Sequence, residues 1–174
     1  MANNQLPLPI FTPRLIIRDA VRSDMSGWAA LYGSLEERRY LNGPLKRTEQ
    51  DWWEGQQQIN ADIERPLSIV LHETSEFVGV CGFFTSEQSG EWEIWLLLHS
   101  KFWGKGIGTE VISALVEVAF SSLDAQRVIG IIDSANQASL RLFIKLGFSF
   151  LREYSDWASW QHRHHIYGVM RPSA

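Results

Sequence analysis

The residues best able to do chemistry lie in a glycine-rich stretch, Trp103–Thr109, which reads WGKGIGT. Its glycines, Gly104, Gly106 and Gly108, allow backbone N–H groups to converge on one point. The apolar run that follows predicts a helix, whose first turn adds unpaired N–H donors and the positive end of the helix dipole. Lys105 places a cation in the same segment. We call residues 103–109 the glycine turn, and their composition predicts a binding site for an anion such as a pyrophosphate.

Two better-known phosphate motifs do not fit the glycine turn. A P-loop needs a glycine, four residues, and then Gly-Lys followed by Ser or Thr, but Gly104-Lys105 has neither the upstream glycine nor the hydroxyl. A dinucleotide fingerprint has G-x-G-x-x-G spacing, which differs from Gly104-x-Gly106-x-Gly108. For the turn taken alone, the alternative is a helix start at which glycines permit close packing.

A second stretch, Ile129–Phe148, reads IGIIDSANQASLRLFIKLGF and lies farther along the chain. Together the two stretches resemble the GCN5-related N-acetyltransferase (GNAT) superfamily. The resemblance is closest to the RimJ/RimL-like branch of ribosomal-protein N-terminal acetyltransferases. The pattern N-x-x-[AS] with a later K-x-G-F, typical of the superfamily, falls here on Asn136, Ser139, Lys145, Gly147 and Phe148.

The resemblance implies that the glycine turn binds the pyrophosphate of acetyl-coenzyme A. The superfamily pattern Q/R-x-x-G-x-G/A falls on Trp103, Gly106 and Gly108, with tryptophan in place of the usual Gln or Arg. It also implies that backbone groups of Leu97 and Leu98 pair with the pantetheine arm like an added strand. The coenzyme-binding residues expected on this basis are Leu97, Leu98, Trp103, Gly104, Lys105, Gly106, Ile107, Gly108, Thr109 and Asn136.

Acetyl transfer to an amine also needs a group that accepts a proton from the amine. Glu93 lies near the start of a predicted strand, residues 92–98, which precedes the glycine turn. Histone-acetylating members of the superfamily carry a general base at about this position. Strand alternation places Glu93 on one face with Trp95 and Leu97, and a carboxylate beside tryptophan can have a raised pKa. The alternative is a solvated strand residue. Glu91, two positions earlier on the same face, is the second candidate.

The leaving thiolate needs a stabilising donor, and here the chain departs from the superfamily pattern. Many members carry a tyrosine seven residues after the asparagine; counting from Asn136 gives Phe143, which cannot donate. Ser139 shares a helix face with Leu142, Phe143 and Leu146, and this apolar face is predicted to be buried. A buried hydroxyl needs a hydrogen-bond partner. The ribosomal-protein branch is similar in using a serine here, and we assign the thiolate-stabilising role to Ser139. The alternative is a hydrogen bond back to a helix carbonyl.

The elements around these residues predict an α/β fold with a mixed, mostly antiparallel sheet flanked by helices. The resemblance adds a sheet that splays after the fourth strand. We expect residues 1–12 to be a loose leader and residues 13–172 to form a single acetyltransferase domain. The resemblance implies that a pair of N-terminal helices flanks the acceptor pocket. The predicted strands are 14–19, 67–72, 77–84, 92–98, 127–132, 148–154 and 164–170. The predicted helices are one that is capped by Ser23 or Asp24 and stops near Gly33, 35–41, 48–62, one from 107, and one that starts at Ser134 or Asn136 and ends at Gly147.

Composition narrows the class of protein. The chain has 174 residues and a net charge of −4, which argues against a nucleic-acid-binding surface. A single cysteine, Cys81, fits a reducing compartment, and no signal peptide or apolar run of membrane-spanning length is seen. We therefore expect a cytoplasmic protein, monomeric or homodimeric, that contacts neither nucleic acid nor membrane. His162, His164 and His165 lack the additional ligands of a metal site, so no metal is expected.

These residues predict an acetyl-coenzyme A-dependent N-acetyltransferase in which the amine attacks directly. At about pH 7.5, deprotonating a lysine amine costs about 4 kcal/mol and an α-amine less than about 1 kcal/mol. Because no tyrosine acid is present, we expect a peptide or protein N-terminal α-amine as acceptor. A small-molecule amine is the alternative. A non-catalytic acyl-coenzyme A sensor and a phosphate-binding kinase are the rival classes.

Overall fold

A single eight-stranded sheet organises the protein in the computed structural model of the chain, which describes residues 6–59, 64–85, 91–154 and 163–172. The strand order is β1-β2-β3-β4-β5-β6-β8-β7, and every pair is antiparallel except β5–β6. The predicted mixed, mostly antiparallel α/β fold is confirmed. The strands are β1 Ile10–Phe11, β2 Leu15–Arg18, β3 Glu64–Leu71, β4 Phe77–Thr85, β5 Trp92–Leu98, β6 Arg127–Asp133, β7 Ser149–Glu153 and β8 His164–Met170, and the helices are α1 Met25–Gly33, α2 Glu49–Gln58, α3 Ile107–Ser121 and α4 Gln137–Lys145.

The sheet opens between its two parallel strands. β5 and β6 pair only where Trp92 lies opposite Val128 and Glu93 opposite Ile129, and they diverge beyond that point. The remainder of β5, up to Leu98, has a partner only on its β4 side. The splay expected after the fourth predicted strand is therefore present. That strand is numbered β5 because the short β1, which was not predicted, comes before it.

The sheet is covered on both faces. On one face α3 contributes a buried stripe, which includes Val111 and Leu115, and this stripe packs against β5 and β6. On the other face α1 and α2 place Trp28 and Trp52 against the sheet, over side chains of β4 and β5. Successive residues of a strand point to opposite faces, so β5 serves both layers.

Three sequence-based boundaries differ from the structure. The expected leader includes β1, whose Ile10 is buried and pairs with Ile17 of β2. Residues 35–41, predicted as a helix, form a series of turns, and the left-handed backbone of Asn42 and Gly43 follows them. The third predicted helix ends at Gln58, and its predicted last residues, 60–62, lie outside the described part of the chain.

β3 begins earlier than predicted and contains Pro66. β2 pairs with β3 only from Ser68 to Leu71, so Pro66 lies in a part of β3 that has one partner strand, where its missing N–H is tolerated. Among the described helices none is long and apolar enough to span a membrane.

Candidate active site

A cavity of about 390 Å³ opens where β5 and β6 diverge. Its walls are the end of β5, the glycine turn, the start of α3 and one side of α4, with the loop between α1 and α2 closing one edge. We call it the cleft cavity. The lining residues are Glu37, Arg39, Tyr40, Leu96, Leu97, Leu98, Phe102, Trp103, Gly104, Gly106, Ile107, Gly108, Thr109, Asn136, Ala138, Ser139, Arg141 and Leu142. This set contains every residue predicted to bind the coenzyme except Lys105.

The glycines of the turn are needed for two different reasons. Gly104 and Gly106 have φ of +71° and +76°, a left-handed backbone that a side chain would strain, and Gly106 is the N-cap of α3. Gly108 is the second residue of α3 and lies where α3 approaches α4 closely, because an added Cβ would lie 2.7 Å from Leu142 Cδ1. The turn thus directs the first N–H groups of α3 toward the cavity and lets α4 approach it.

The structure adds Arg14, which the sequence gave no reason to select. Its Nη1 donates to the Lys105 carbonyl at 2.9 Å, and its Nη2 lies 2.6 Å from Glu110 Oε2 on α3. Burial raises the pKa of Glu110, but hydrogen bonds from Thr12 and Arg14 outweigh it, so the pKa is lowered. Arg14 therefore holds the glycine turn against α3. The Lys105 ammonium lies 5.8 Å from the Phe102 ring, outside the cavity lining.

Trp103 fixes the end of β5. Its Nε1 donates to the Leu98 carbonyl at 3.0 Å, which ties the glycine turn to the strand that precedes it. The Leu97 carbonyl faces β4 instead, since a Cβ built on Gly79 would lie 2.3 Å from it. Of the two predicted backbone contacts, Leu98 is the one whose carbonyl faces the glycine turn.

The start of α4 forms the opposite wall. Asn136 caps the helix, because its Oδ1 accepts a hydrogen bond from the Ser139 N–H at 3.1 Å. Ser139 is half-buried in the cavity wall, and its hydroxyl makes no hydrogen bond to any other described residue. Phe143 points elsewhere: it is buried against Gly130 and lies 4.7 Å, centroid to centroid, from the Phe148 ring. The position expected for a tyrosine acid is thus part of the core.

Glu93 lies on the face of β5 that packs toward α1 and α2. It is opposite Phe84 on β4, which is in turn opposite Glu64 on β3, so the two carboxylates share one row of the sheet. Burial first, and the charge of Glu64 second, raise the pKa of Glu93 to about 7. The second candidate, Glu91, is buried and paired, with Oε1 2.9 Å from Arg127 Nη1 and Oε2 3.6 Å from Arg152 Nη2.

A second cavity, of about 210 Å³, lies beside Glu93. We call it the aromatic cavity, because Trp28, Tyr32, Trp52 and Trp95 line it, together with Arg47, Gly55, Gln56, Ile59, Glu64 and Pro66. Glu93 lines neither cavity, whereas Ser139 lines the cleft cavity alone. The structure therefore does not bring the two predicted catalytic residues into one cavity. β5 connects them, with Glu93, Trp95 and Leu97 in succession along one face.

The remaining cysteine, tyrosine and histidine side chains that could react, Cys81, Tyr167, His164 and His165, line neither cavity. Cys81 is fully buried, and that burial raises the pKa of its thiol. Tyr167 packs against Phe150, with ring centroids 5.9 Å apart. His164 and His165 are adjacent on β8, and His162 lies outside the described residues. Within the described ranges no three His, Cys, Asp or Glu residues are grouped as a metal site would require.

Comparison with known proteins identifies the family. Residues 14–149 match the acetyltransferase (GNAT) domain, so the chain belongs to the GNAT family and is an N-acetyltransferase; the family uses acetyl-coenzyme A. The uncharacterised N-acetyltransferase p20 of Bacillus licheniformis is 28% identical over 153 residues, which cover 83% of this chain and 86% of p20.

Solved structures show the same fold at low identity. RimL, a ribosomal L7/L12 alpha-N-protein acetyltransferase in complex with coenzyme A, superposes with a TM-score of 0.76 at 18% identity, covering 94% of this chain and 97% of RimL. Spermidine N-acetyltransferase from Vibrio cholerae, in complex with coenzyme A and spermine, also superposes with a TM-score of 0.76, at 15% identity, covering 91% and 96%.

Proposed function

We propose that this N-acetyltransferase binds acetyl-coenzyme A in the cleft cavity and transfers the acetyl group directly to the α-amine of a peptide or protein N-terminus. The observation that carries the coenzyme assignment is the left-handed Gly106 at the N-cap of α3, which leaves backbone donors at the cavity wall. These donors and the helix dipole favour a pyrophosphate. The apolar side chains Leu96, Leu97 and Leu98 of β5, with Ala138 and Leu142 of α4, suit the pantetheine arm.

The bound coenzyme supplies an acetyl thioester that the amine attacks directly. In our proposal Asn136 holds an amide of the coenzyme with the part of its side chain not used for the helix cap. The Ser139 hydroxyl, which has no other partner among the described residues, donates to the leaving thiolate. Glu93 takes the proton of the acceptor ammonium, directly or through a water.

The pKa of Glu93 supports an α-amine as the acceptor. Moving a proton from an α-ammonium with a pKa of about 8 to a carboxylate with a pKa of about 7 costs about 1.4 kcal/mol. The same transfer from a lysine ammonium, with a pKa of about 10.4, costs about 4–5 kcal/mol. The similarity of fold to RimL points in the same direction.

A small polyamine is the second candidate acceptor, and Glu64 is the observation that favours it. Glu64 and Glu93 make no ion pair with other described residues, and they lie in one row beside the aromatic cavity. Two carboxylates in one row of the sheet, two strands apart, could hold two ammonium groups of one molecule. The similarity of fold to a spermidine N-acetyltransferase is consistent with this candidate.

The deciding experiment compares kcat/KM at one pH for three acceptors. These are a peptide with a free N-terminus, its N-blocked twin containing one lysine, and spermidine. We expect the free peptide to be preferred and Glu64→Gln to change its kcat/KM little. Preference for spermidine, with a large loss in Glu64→Gln, would replace the α-amine by the polyamine. Preference for the blocked peptide would contradict both.

A further inference from the structure

Arg39 lies over the glycine turn although it belongs to a distant part of the chain. It sits in the turns between α1 and α2, and its guanidinium carbon is 5.2 Å from the centroid of the Trp103 ring and 5.0 Å from that of its neighbour Tyr40. Arg39 and Tyr40 line the cleft cavity together with Gly104 and Gly106. Within the described chain, the Arg39 guanidinium makes no hydrogen bond or ion pair.

The loop that carries Arg39 is anchored beside the cavity by a buried carboxylate. Glu37 accepts hydrogen bonds from the Ser100 N–H at 3.0 Å and from the Ser34 hydroxyl, and its Oε1 is 3.2 Å from His99 Nδ1. Burial raises the pKa of Glu37, but the hydrogen bonds outweigh it and lower the pKa to about 2. Glu37 therefore stays ionised and fixes the loop to the end of β5, two residues from Arg39.

The lining of the cleft cavity carries more cationic side chains than unbonded carboxylates. Arg39 and Arg141 are the cations among the lining residues, and the one lining carboxylate, Glu37, is already bonded to the loop and to Ser100. An arginine presents a planar fork of N–H donors that matches phosphate oxygens, and stacking on an aromatic ring holds that fork in a defined plane.

We propose that Arg39 is a phosphate-binding residue of the cleft cavity, contacting the diphosphate of the coenzyme from above the glycine turn. This inference rests on the proposed function. It assigns the side-chain cation of the site to the loop between α1 and α2, in place of Lys105, whose ammonium lies over Phe102 outside the lining. Because the same loop leads into α2, which lines the aromatic cavity, the coenzyme and the wall of the second cavity become physically connected.

The test compares Arg39→Ala with Arg22→Ala in the full-length chain. Arg22 is a matched control, since it is also an exposed arginine stacked on a tryptophan, 5.7 Å from the Trp53 ring, but it lines neither cavity. Calorimetry with coenzyme A and with dephospho-coenzyme A gives the binding arm. Acetylation with acetyl-coenzyme A and with S-acetylpantetheine, which has no phosphate, gives the kinetic arm. The melting temperature of each variant checks folding.

Losing one charge-assisted phosphate contact should raise the Kd of Arg39→Ala about 10- to 100-fold, equally for both coenzymes. Arg39→Lys should fall in between, because it keeps the charge without the fork. Arg22→Ala should bind normally, and kcat/KM with S-acetylpantetheine should be unchanged in Arg39→Ala.

Normal coenzyme affinity in Arg39→Ala, or an equal loss of kcat/KM with both acetyl donors, would overturn the inference. A loss seen only with coenzyme A would place Arg39 on the 3′-phosphate and remove the diphosphate contact. If the wild-type chain itself does not bind coenzyme A, the proposed function fails as well, so the two failures are distinguishable.

Discussion

The two proposed catalytic residues, Ser139 and Glu93, lie in different surroundings. Ser139 is oriented by its own helix, because Asn136 caps α4 and leaves the serine side chain in the wall of the cleft cavity. Glu93 is prepared by burial, which makes its ionised form less stable and raises its pKa toward neutrality. A donor to a thiolate needs position, whereas a base needs a suitable pKa.

Ser139→Ala should lower kcat without changing the affinity for the coenzyme. A single preorganised donor to a developing anion contributes about 10²- to 10³-fold in kcat. The measurement is kcat under conditions where chemistry limits turnover, together with the coenzyme Kd. Cys81→Ala is the control and should leave both values unchanged, because Cys81 is fully buried in the core. An unaltered kcat in Ser139→Ala would remove the serine from the mechanism.

Glu93 should give the enzyme a pH dependence with a defined sign. A base must be ionised, so wild-type kcat/KM should decrease about tenfold per pH unit below about pH 7. Glu93→Gln should be slower and should lack this titration, and profiles measured with one acceptor isolate the difference. Glu91→Gln is the control: its carboxylate is paired with Arg127, so the titration near pH 7 should persist. A Glu93→Gln profile parallel to that of the wild type would exclude Glu93 as the base.

Ionisation of Glu93, which should increase activity, should decrease the stability of the fold. Because the pKa of Glu93 is raised on folding, its contribution to stability is complete below about pH 4, the unfolded value, and is lost as the pH rises through about 7. Glu93→Gln should therefore melt higher than the wild type at pH 8 but not at pH 4. An equal difference in melting temperature at both pH values would contradict the raised pKa.

At the scale of elements, the glycine turn acts as a junction of three parts of the chain. Trp103 bonds to the end of β5, Gly106 begins α3, and Arg14 of the N-terminal region bonds to the Lys105 carbonyl. These contacts hold the turn in place without using the backbone donors at the start of α3. A rigid turn with free donors is preorganised for an anion.

Gly106→Glu should abolish coenzyme binding while the protein still folds. The substitution adds an anion where phosphates are proposed to bind, and loss of two charge-assisted hydrogen bonds weakens affinity at least ~100-fold. Gly106→Ala is the matched control, because it shares the strain of the left-handed φ of +76° but adds no charge. Calorimetry should show a much smaller loss for alanine. A folded Gly106→Glu protein that binds acetyl-coenzyme A normally would place the phosphate site elsewhere.

For the molecule as a whole, β5 is the element shared by the cleft cavity, which is proposed to bind the coenzyme, and the aromatic cavity, which lies beside the proposed base Glu93. One of its faces carries Glu93 and Trp95 toward the aromatic cavity, and its C-terminal end forms the wall of the cleft cavity. The coenzyme should therefore bind between two parts of the sheet whose described strands, β5 and β6, pair only at Trp92 and Glu93.

Coenzyme binding across this opening should stabilise the whole fold. At a concentration of 100 times Kd, a ligand that binds only the native state adds about 2.7 kcal/mol, which raises the melting temperature of a chain of this size by about 5–11 °C. Coenzyme A should produce this shift in thermal unfolding, and ATP at the same multiple of the wild-type coenzyme Kd should produce a smaller one. A larger shift with ATP would favour the nucleotide-binding class of protein instead.

The sequence by itself determined the order of the main strands and helices, the glycine turn and the start of α4 at or near Asn136. These features are local: apolar periodicity, glycine spacing and a capping residue act within a few positions, so they can be recognised without the fold. The family resemblance followed from two motifs read together, and the splay was expected from that resemblance. The turns at residues 35–41 were mistaken for a helix, because the buried anchor of that segment, Glu37, bonds to Ser100, far away in sequence.

Only the tertiary structure decided which charged groups come together around the glycine turn and Glu93. Arg39 and Arg14 reach the glycine turn from distant segments, and Glu91 is removed from the candidate bases by its pairing with Arg127. The raised pKa of Glu93 depends in part on Glu64, two strands away. Electrostatics act through space, and the sheet brings together strands that the sequence separates. The sequence therefore identified which residues could take part in the chemistry. The fold decided which groups surround them, and hence their charge states.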